Sequence, residues 1–232
     1  MKAIILAAGL GSRLGNPIPK ALTGLVDGKS ILQHQVDALT DFISPEDIMV
    51  VTGFKKELIM EAMSGLMFVY NPSFDTTNTA KSLLCGVRKV RREDILWLNG
   101  DVVFTPEVVH RVLSAHRSGM AVNTTTVGEE EVKYVVGDDH AISAISKSVE
   151  NALGEAVGIN FIQWQDVRLL ERSLAACDDR DYFERGVEIA ISHGLRIYPI
   201  DISDQFCVEI DFASDLDQVN AFLRRRAIGE AA

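Results

Sequence analysis

Residues 1–20 read MKAIILAAGLGSRLGNPIPK, a short apolar run that passes straight into a glycine-rich, basic turn. Ala3 to Leu6 is continuously apolar, with two adjacent isoleucines, as suits a strand covered on both faces in a parallel sheet. The run then stops. Ala7, Ala8, Gly9 and Gly11 carry little or no side chain, so the backbone can bend sharply there and bring its N–H groups close to an anion. Arg13 and Lys20 place two cations within reach of such a loop, and Pro17 and Pro19 stiffen the segment that carries the lysine.

Spacing excludes two common glycine-loop chemistries. A dinucleotide fingerprint needs a glycine three places after its second glycine, but Gly9 and Gly11 are followed by Leu14. The phosphate loop of the common nucleotide hydrolases closes on Gly-Lys-Ser/Thr, whereas Lys20 stands between Pro19 and Ala21. The bland alternative is an ordinary strand-to-helix turn with an incidental arginine and lysine.

Composition narrows the class further. A chain of 232 residues suits one large domain with a full core, expected over residues 1–226 with a loose tail at 227–232. The net charge of −10 argues against a nucleic-acid or anionic-membrane binder, because both want a basic face. An acidic protein that binds phosphorylated ligands must concentrate its cations locally and borrow divalent metal. Cys85, Cys177 and Cys207 are odd in number and far apart, which fits neither a disulfide framework nor a zinc site; reduced thiols and a cytoplasmic location are the expectation. No charged-then-apolar leader and no apolar run of about twenty residues is present, so neither export nor membrane spanning is expected. The five histidines, His34, His110, His116, His140 and His193, show no ligand spacing or nucleophile pairing.

The rest of the chain alternates. Ser30 caps a predicted helix to Asp41, Ile48 to Thr52 is a strand ending at Gly53, and Lys55 to Met63 is amphipathic. Met67–Tyr70, Thr79–Val90 and Ile95–Leu98 continue as strand, helix and strand, so the first half reads as a parallel sheet covered by helices. Ligands of such sheets lie beyond the carboxyl ends of the strands. Polar or glycine residues follow all four: the glycine loop, Gly53, the stretch Asn71 to Ser82, and Asn99-Gly100-Asp101. After Gly119 the rhythm changes to predicted strands at 121–127, 132–136, 142–146 and 156–162, without helices between them and with a turn at Gly137-Asp138-Asp139. These form an expected antiparallel extension. Helices over 164–176, 181–192 and 214–226 and a strand over 196–200 complete the reading.

Two acidic sites stand out. Asp101 follows the apolar string ILWL and Asn99-Gly100, which places its carboxylate at the mouth of the sheet. In Val208-Glu209-Ile210-Asp211, an extended backbone puts Glu209 and Asp211 on one face. Hard oxygen ligands of this kind suit Mg²⁺, which takes one or two carboxylates, phosphate oxygens and waters. A capping aspartate before Pro106 and a solvated acidic turn are the plain alternatives.

The pattern L-A-A-G-x-G-x-R-L followed by P-K resembles the signature of the nucleotidyltransferases that make nucleoside-diphosphate sugars and CDP-alcohols. L-N-G-D and V-E-I-D resemble the metal elements of that family, and Tyr70-Asn71-Pro72 through Asn78-Thr79-Ala80-Lys81-Ser82-Leu83 resembles the base-side element of its phosphocholine and phosphonate cytidylyltransferase branch. The fold class implied is α/β: a Rossmann-like, mixed and mostly parallel sheet covered by helices on both faces, with a small antiparallel extension on the acceptor side. The resemblance implies transfer of CMP from CTP to a small phosphonate or phospho-alcohol, with release of pyrophosphate. A sugar-1-phosphate or inositol-phosphate nucleotidyltransferase, or a non-catalytic nucleotide-binding paralogue, is the alternative; a homodimer is plausible by resemblance.

Carried over by resemblance, Asp101 and Asp211 are the metal ligands, with Mg²⁺ as cofactor. Leu6, Ala7, Ala8, Gly9, Gly11, Ser12, Gly53, Asn78, Thr79, Ser82 and Gly100 bind the nucleotide. Arg13 holds the leaving phosphates, Lys20 the α-phosphate or acceptor, and Lys147 the acceptor phosphate, unless Lys147 is a solvated hairpin lysine. No general base is required, because an acceptor phosphate is already largely anionic at neutral pH. The sequence departs from the phosphocholine enzymes at Glu129 to Tyr134, which reads EEEVKY where they carry a tryptophan. Lys133, Glu155 and Glu209 are the expected acceptor-binding residues. Lys133 suits an acidic group, whereas an amine-bearing acceptor would use Glu129, Glu130, Glu131 or Glu155, side chains that equally suit a solvated turn. Tyr134, Phe161 and Trp164 are expected in the core rather than as pocket walls.

Overall fold

A computed structural model describes residues 1–9, 18–125, 127–128 and 131–229. Gly11, Ser12, Arg13, Glu129, Glu130 and the end of the predicted tail lie outside the described residues.

Strand β1 (Lys2–Ala7) lies at the middle of the sheet, parallel to β2 (Ile48–Thr52) on one side and to β4 (Ile95–Asn99) on the other. Its alternation explains the continuous apolar run. Ala3, Ile5 and Ala7 face one core with Leu32, Val36 and Leu39 of helix α1 (Ile31–Thr40), Ile59 of α2 (Lys56–Ala62) and Val108 and Val112 of α4 (Pro106–Ser114). Ile4 and Leu6 face the other core with Leu83 and Val87 of α3 (Thr79–Val87), Leu170 of α5 (Val167–Ala176) and Val187 of α6 (Phe183–Ser192). Helices therefore cover both faces, as the periodicity predicts.

With β3 (Met67–Tyr70), β6 (Gly119–Asn123), β9 (Gly154–Ile162) and β10 (Tyr198–Asp201), the sheet runs β10-β6-β9-β4-β1-β2-β3 among the described residues. β9 is antiparallel to both neighbours, while β10 pairs parallel with β6. This narrows the expected extension. β6 and β9 belong to the main sheet, because the second half of the nine-residue β9 closes the gap between β4 and β6. Among the described residues, only β7 (Lys133–Val136) and β8 (Ile142–Ser146) project beyond it, held by the first residues of β9.

Two short strands escape the alternation. β5 (Val102–Phe104) pairs antiparallel with β11 (Cys207–Glu209), with Val102 opposite Glu209. A third core of Leu25, Ile31, Val103, Ile210 and Val219 packs this pair under helix α7 (Ala213–Ala227). The consequence is positional: residues more than one hundred apart in sequence meet just past the end of β4.

Candidate active site

The carboxyl ends of β1, β2 and β4 converge on a floor with no room for side chains. A Cβ at Gly53 would lie 2.5 Å from the Ala8 carbonyl oxygen, and one at Gly100 the same distance from that of Leu6. Both approaches are hydrogen-bonded, Phe54 N–H to Ala8 O at 3.2 Å and Gly100 N–H to Leu6 O at 2.9 Å. Leu6, Ala7 and Ala8 are buried here, and Gly9 is exposed at the edge.

Asp101 is the next residue outward. Antiparallel pairing of β5 with β11, continued by a 2.9 Å bond from Ile210 N–H to Asp101 O, brings Glu209 and Asp211 alongside it. Ligand oxygens of Asp101, Glu209 and Asp211 all lie within 4.8 Å of one another. Alternation works as read from the sequence, since Ile210 points into the third core while the acids on either side face the cleft. Glu209, assigned in the sequence to the acceptor, joins the two predicted metal ligands.

Lys20 enters this cluster from the opposite wall. A single turn over Lys20–Leu22, closed by Leu22 N–H to Pro19 O and Thr23 N–H to Lys20 O, fixes its backbone. Its Nζ donates to Asp101 Oδ2 at 2.7 Å and to Asp211 Oδ1 at 2.6 Å. Burial alone would lower its pKa and is the largest single influence, but Asp101 and Asp211 together outweigh it and the net shift is upward. Glu209 is held well above the usual carboxylate range, first by removal from solvent and then by the charges of Asp101 and Asp211. Among the described residues, the Lys20 ammonium is hydrogen-bonded to two of the three crowded acids. Asp101 Oδ1 is buried and has no hydrogen-bond partner among the described residues. An orphaned oxygen in an all-oxygen donor set fits a hard divalent cation.

Residues absent from the sequence reading support the cluster. Gln35, 1% exposed on the apolar face of α1, donates to Asn99 O at 2.7 Å and Val102 O at 2.8 Å, holding the turn that carries Asp101. Asp215 Oδ2 accepts from Asp211 N–H at 2.9 Å and Phe212 N–H at 2.7 Å, which anchors the other acid to the start of α7. The signals were a lone glutamine inside an apolar stripe and an aspartate three places after a helix start.

On the expected base side, Asn78 caps α3 by accepting from Thr79 N–H at 2.8 Å, and Thr79 Oγ1 accepts from Phe183 N–H at 2.9 Å. Ser82 is turned inward, its hydroxyl accepting from Asn71 Nδ2 at 3.1 Å. It braces the 71–82 loop. The hairpin splits the remaining predicted residues between its faces. Lys133 lies opposite both Ser146 and Glu155, while the next pair, Tyr134 and Ile145, is buried in the core. Glu155 accepts from Gly128 N–H at 3.0 Å, and its pKa is raised by burial and, secondarily, by the charge of Glu131, which also acts on Glu209. Lys147 goes the other way, 5.6 Å over the Tyr182 ring and facing buried Glu184 at the start of α6. Glu209 thus stands with the two aspartates, Glu131 lies close enough to act on both Glu209 and Glu155, and Lys147 lies toward Tyr182 and α6. Phe161 is buried as expected, Tyr134 is core, and Trp164 is instead half-exposed on the far edge of the sheet.

Residues 3–166 match the MobA-like NTP transferase domain. The chain belongs to this family. The CMP-5'-(3-aminopropyl)phosphonate synthase of Streptomyces rubellomurinus is 30% identical over 95% of this chain, which spans 38% of that protein's length. Among solved structures, the CTP:phosphocholine cytidylyltransferase of Streptococcus pneumoniae superposes with a TM-score of 0.73 at 22% identity, covering 96% of this chain and 98% of that one. The inositol-1-phosphate CTP transferase of T. maritima gives 0.77 at 19% identity, covering 100% and 98%. These two likenesses establish the nucleotidyltransferase fold. Among the described residues of this NTP transferase domain, no helix is long and apolar enough to cross a membrane.

Proposed function

We propose that this NTP transferase domain moves CMP from CTP to a small acceptor that carries a phosphonate or phosphate at one end and an ammonium at the other. The observation that supports the reading is Lys20 held between Asp101 and Asp211 with Glu209 in the same cluster, Glu131 lying close enough to act on both Glu209 and Glu155. An anionic acceptor end needs a cation such as Lys20, and a cationic end is matched by the glutamates. The aminopropylphosphonate synthase relative supports this choice.

The acceptor oxygen attacks the α-phosphorus in line, a new P–O–P link forms, and the bond to the β-phosphate oxygen breaks to release pyrophosphate. Catalysis consists of positioning and charge stabilisation, with no proton to remove from the dianionic acceptor. Mg²⁺ held by Asp101 and Asp211, with Glu209 beside them, would supply positive charge to the phosphate oxygens. Lys20, on its short fixed turn, donates to the α-phosphate or acceptor oxygen. Arg13 is assigned to the leaving phosphates. The glycine floor admits the nucleotide backbone-close, and Asn78 and Thr79 present the base-side edge. Lys147, behind the hairpin, is assigned to the acceptor phosphate only by family likeness. An inositol- or sugar-1-phosphate acceptor is the second reading, supported by the T. maritima likeness.

Pyrophosphate release, measured with Mg²⁺, each of the four nucleoside triphosphates and a panel of aminoalkylphosphonates, phosphocholine, phosphoethanolamine, inositol-1-phosphate and sugar-1-phosphates, tests this reading. Release that requires CTP and an amine-bearing acceptor supports it. Release with UTP or dTTP and a sugar-1-phosphate would overturn it.

A further inference from the structure

The edge of the sheet opposite the cleft carries a second feature, built from the segment before β4 and the segment after β9. β4 has five residues, so at about 3.3 Å each the two edges stand about 16 Å apart. The sequence RKVRRED at 88–94 holds four cations in five residues of a chain whose net charge is −10. α5 adds Arg168 and Arg172. Between these segments lies a cavity of about 520 Å³ whose lining includes Val90, Arg91, Arg92, Trp164, Arg168 and the acid Glu171.

The acids nearby are already engaged. Glu93 faces the Met1 amino group at 3.0 Å, and Asp94 accepts from Trp164 N–H at 2.8 Å. Glu171 is shared between Arg88 at 3.9 Å and Arg168 at 3.4 Å. Arg91 and Arg92 have no hydrogen-bond or ion-pair partner among the described residues. Trp164 is 49% exposed at this cavity, whereas Trp97 is completely buried. An exposed indole and unpaired guanidiniums lining one cavity are the combination that holds a flat ring with an anionic group: the ring stacks, and the planar forks bind two oxygens. The volume falls in the range of small-molecule sites.

We infer that this cavity is a second ligand site, distinct from the cleft, for a small aromatic phosphate of the nucleoside monophosphate kind. Its ring lies against Trp164 and its phosphate against Arg91 and Arg92. The assignment is independent of which acceptor the cleft uses.

Tryptophan emission reads the site directly, because the chain has two tryptophans and only Trp164 meets solvent. CMP, AMP and phenyl phosphate are titrated against wild type, with cytidine and inorganic phosphate as controls that lack one half of the ligand. Saturable quenching by the ring-bearing phosphates is expected, with cytidine and phosphate each about tenfold weaker or more. Trp164→Phe should abolish the response, and Arg91→Ala/Arg92→Ala should weaken it about tenfold while leaving catalytic pyrophosphate release unchanged. Three outcomes overturn the inference: no saturable quenching; quenching that persists in Arg91→Ala/Arg92→Ala but disappears in Lys20→Ala, which would place the signal in the cleft; or quenching by polyglutamate alone, which would make the patch a docking face for an acidic protein.

Discussion

The two halves of the sheet make their sides of the cleft by different means. In the parallel half, the residues that directly follow β1, β2 and β4 meet at the floor, so Ala8, Gly53 and Asn99-Gly100-Asp101 reach the site through local sequence alone. In the antiparallel half the assembly depends on long-range pairing. Glu155, Lys133 and Ser146 come together only through the pairing of β7 with β8 and β9, and Glu209 and Asp211 arrive through β11 against β5. One half writes its chemistry as motifs, the other as register. On the proposed reading, the motif half serves the nucleotide and the register half the acceptor.

The largest effect should come from the place where the halves meet. Lys20→Ala and Asp101→Ala should each lower kcat by about a hundred- to a thousandfold, with an unchanged far-ultraviolet circular dichroism spectrum. Near-normal turnover in either would separate the cluster from the chemistry. The register half should then fail selectively. Glu131→Gln/Glu155→Gln should raise KM for an amine-bearing acceptor about tenfold or more and leave KM for CTP unchanged in steady-state assays.

Smaller effects test the supports. Gln35→Ala leaves the carbonyls of Asn99 and Val102 without their donor, so chemical denaturation should show a loss of about 1–3 kcal/mol, with kcat falling as the Asp101 turn loosens. Behind the hairpin, burial raises the Glu184 pKa from 4.5 to about 7, against the opposing charge of Lys147. A carboxyl that binds its proton more tightly when folded contributes stability below pH 4.5 and loses it as pH rises through about 7. Glu184→Gln removes that loss. Its Tm should exceed wild type at pH 8.5 by an amount corresponding to about 3 kcal/mol, and the gain should vanish at acid pH.

The same division explains what could be read in advance. The alternation of β1, the Ser30 cap and the strands at 48–52 and 67–70 were legible because their determinants lie within a few residues. Asp101 and Asp211 were legible as family elements, and the shared face of Glu209 and Asp211 followed from strand alternation. The proximity of Glu209 to Asp101 was not, because it depends on β5, a strand of three residues with no periodicity to detect. The place of β9 inside the main sheet was hidden for a related reason: partner choice is a long-range property that an apolar run does not encode. Lys147 lies 5.6 Å over the Tyr182 ring and acts on Glu184 of α6, long-range neighbours that no local pattern specifies.

The most direct test of this division of labour is a competition followed by phosphorus NMR, with CTP, Mg²⁺ and equal amounts of 3-aminopropylphosphonate and propylphosphonate. Wild type should convert the amine-bearing acceptor in large preference, and Glu131→Gln/Glu155→Gln should lose that preference while still converting propylphosphonate at the wild-type rate. A variant that keeps the preference, or that loses both products equally, would contradict the assignment of the acceptor side to the antiparallel half.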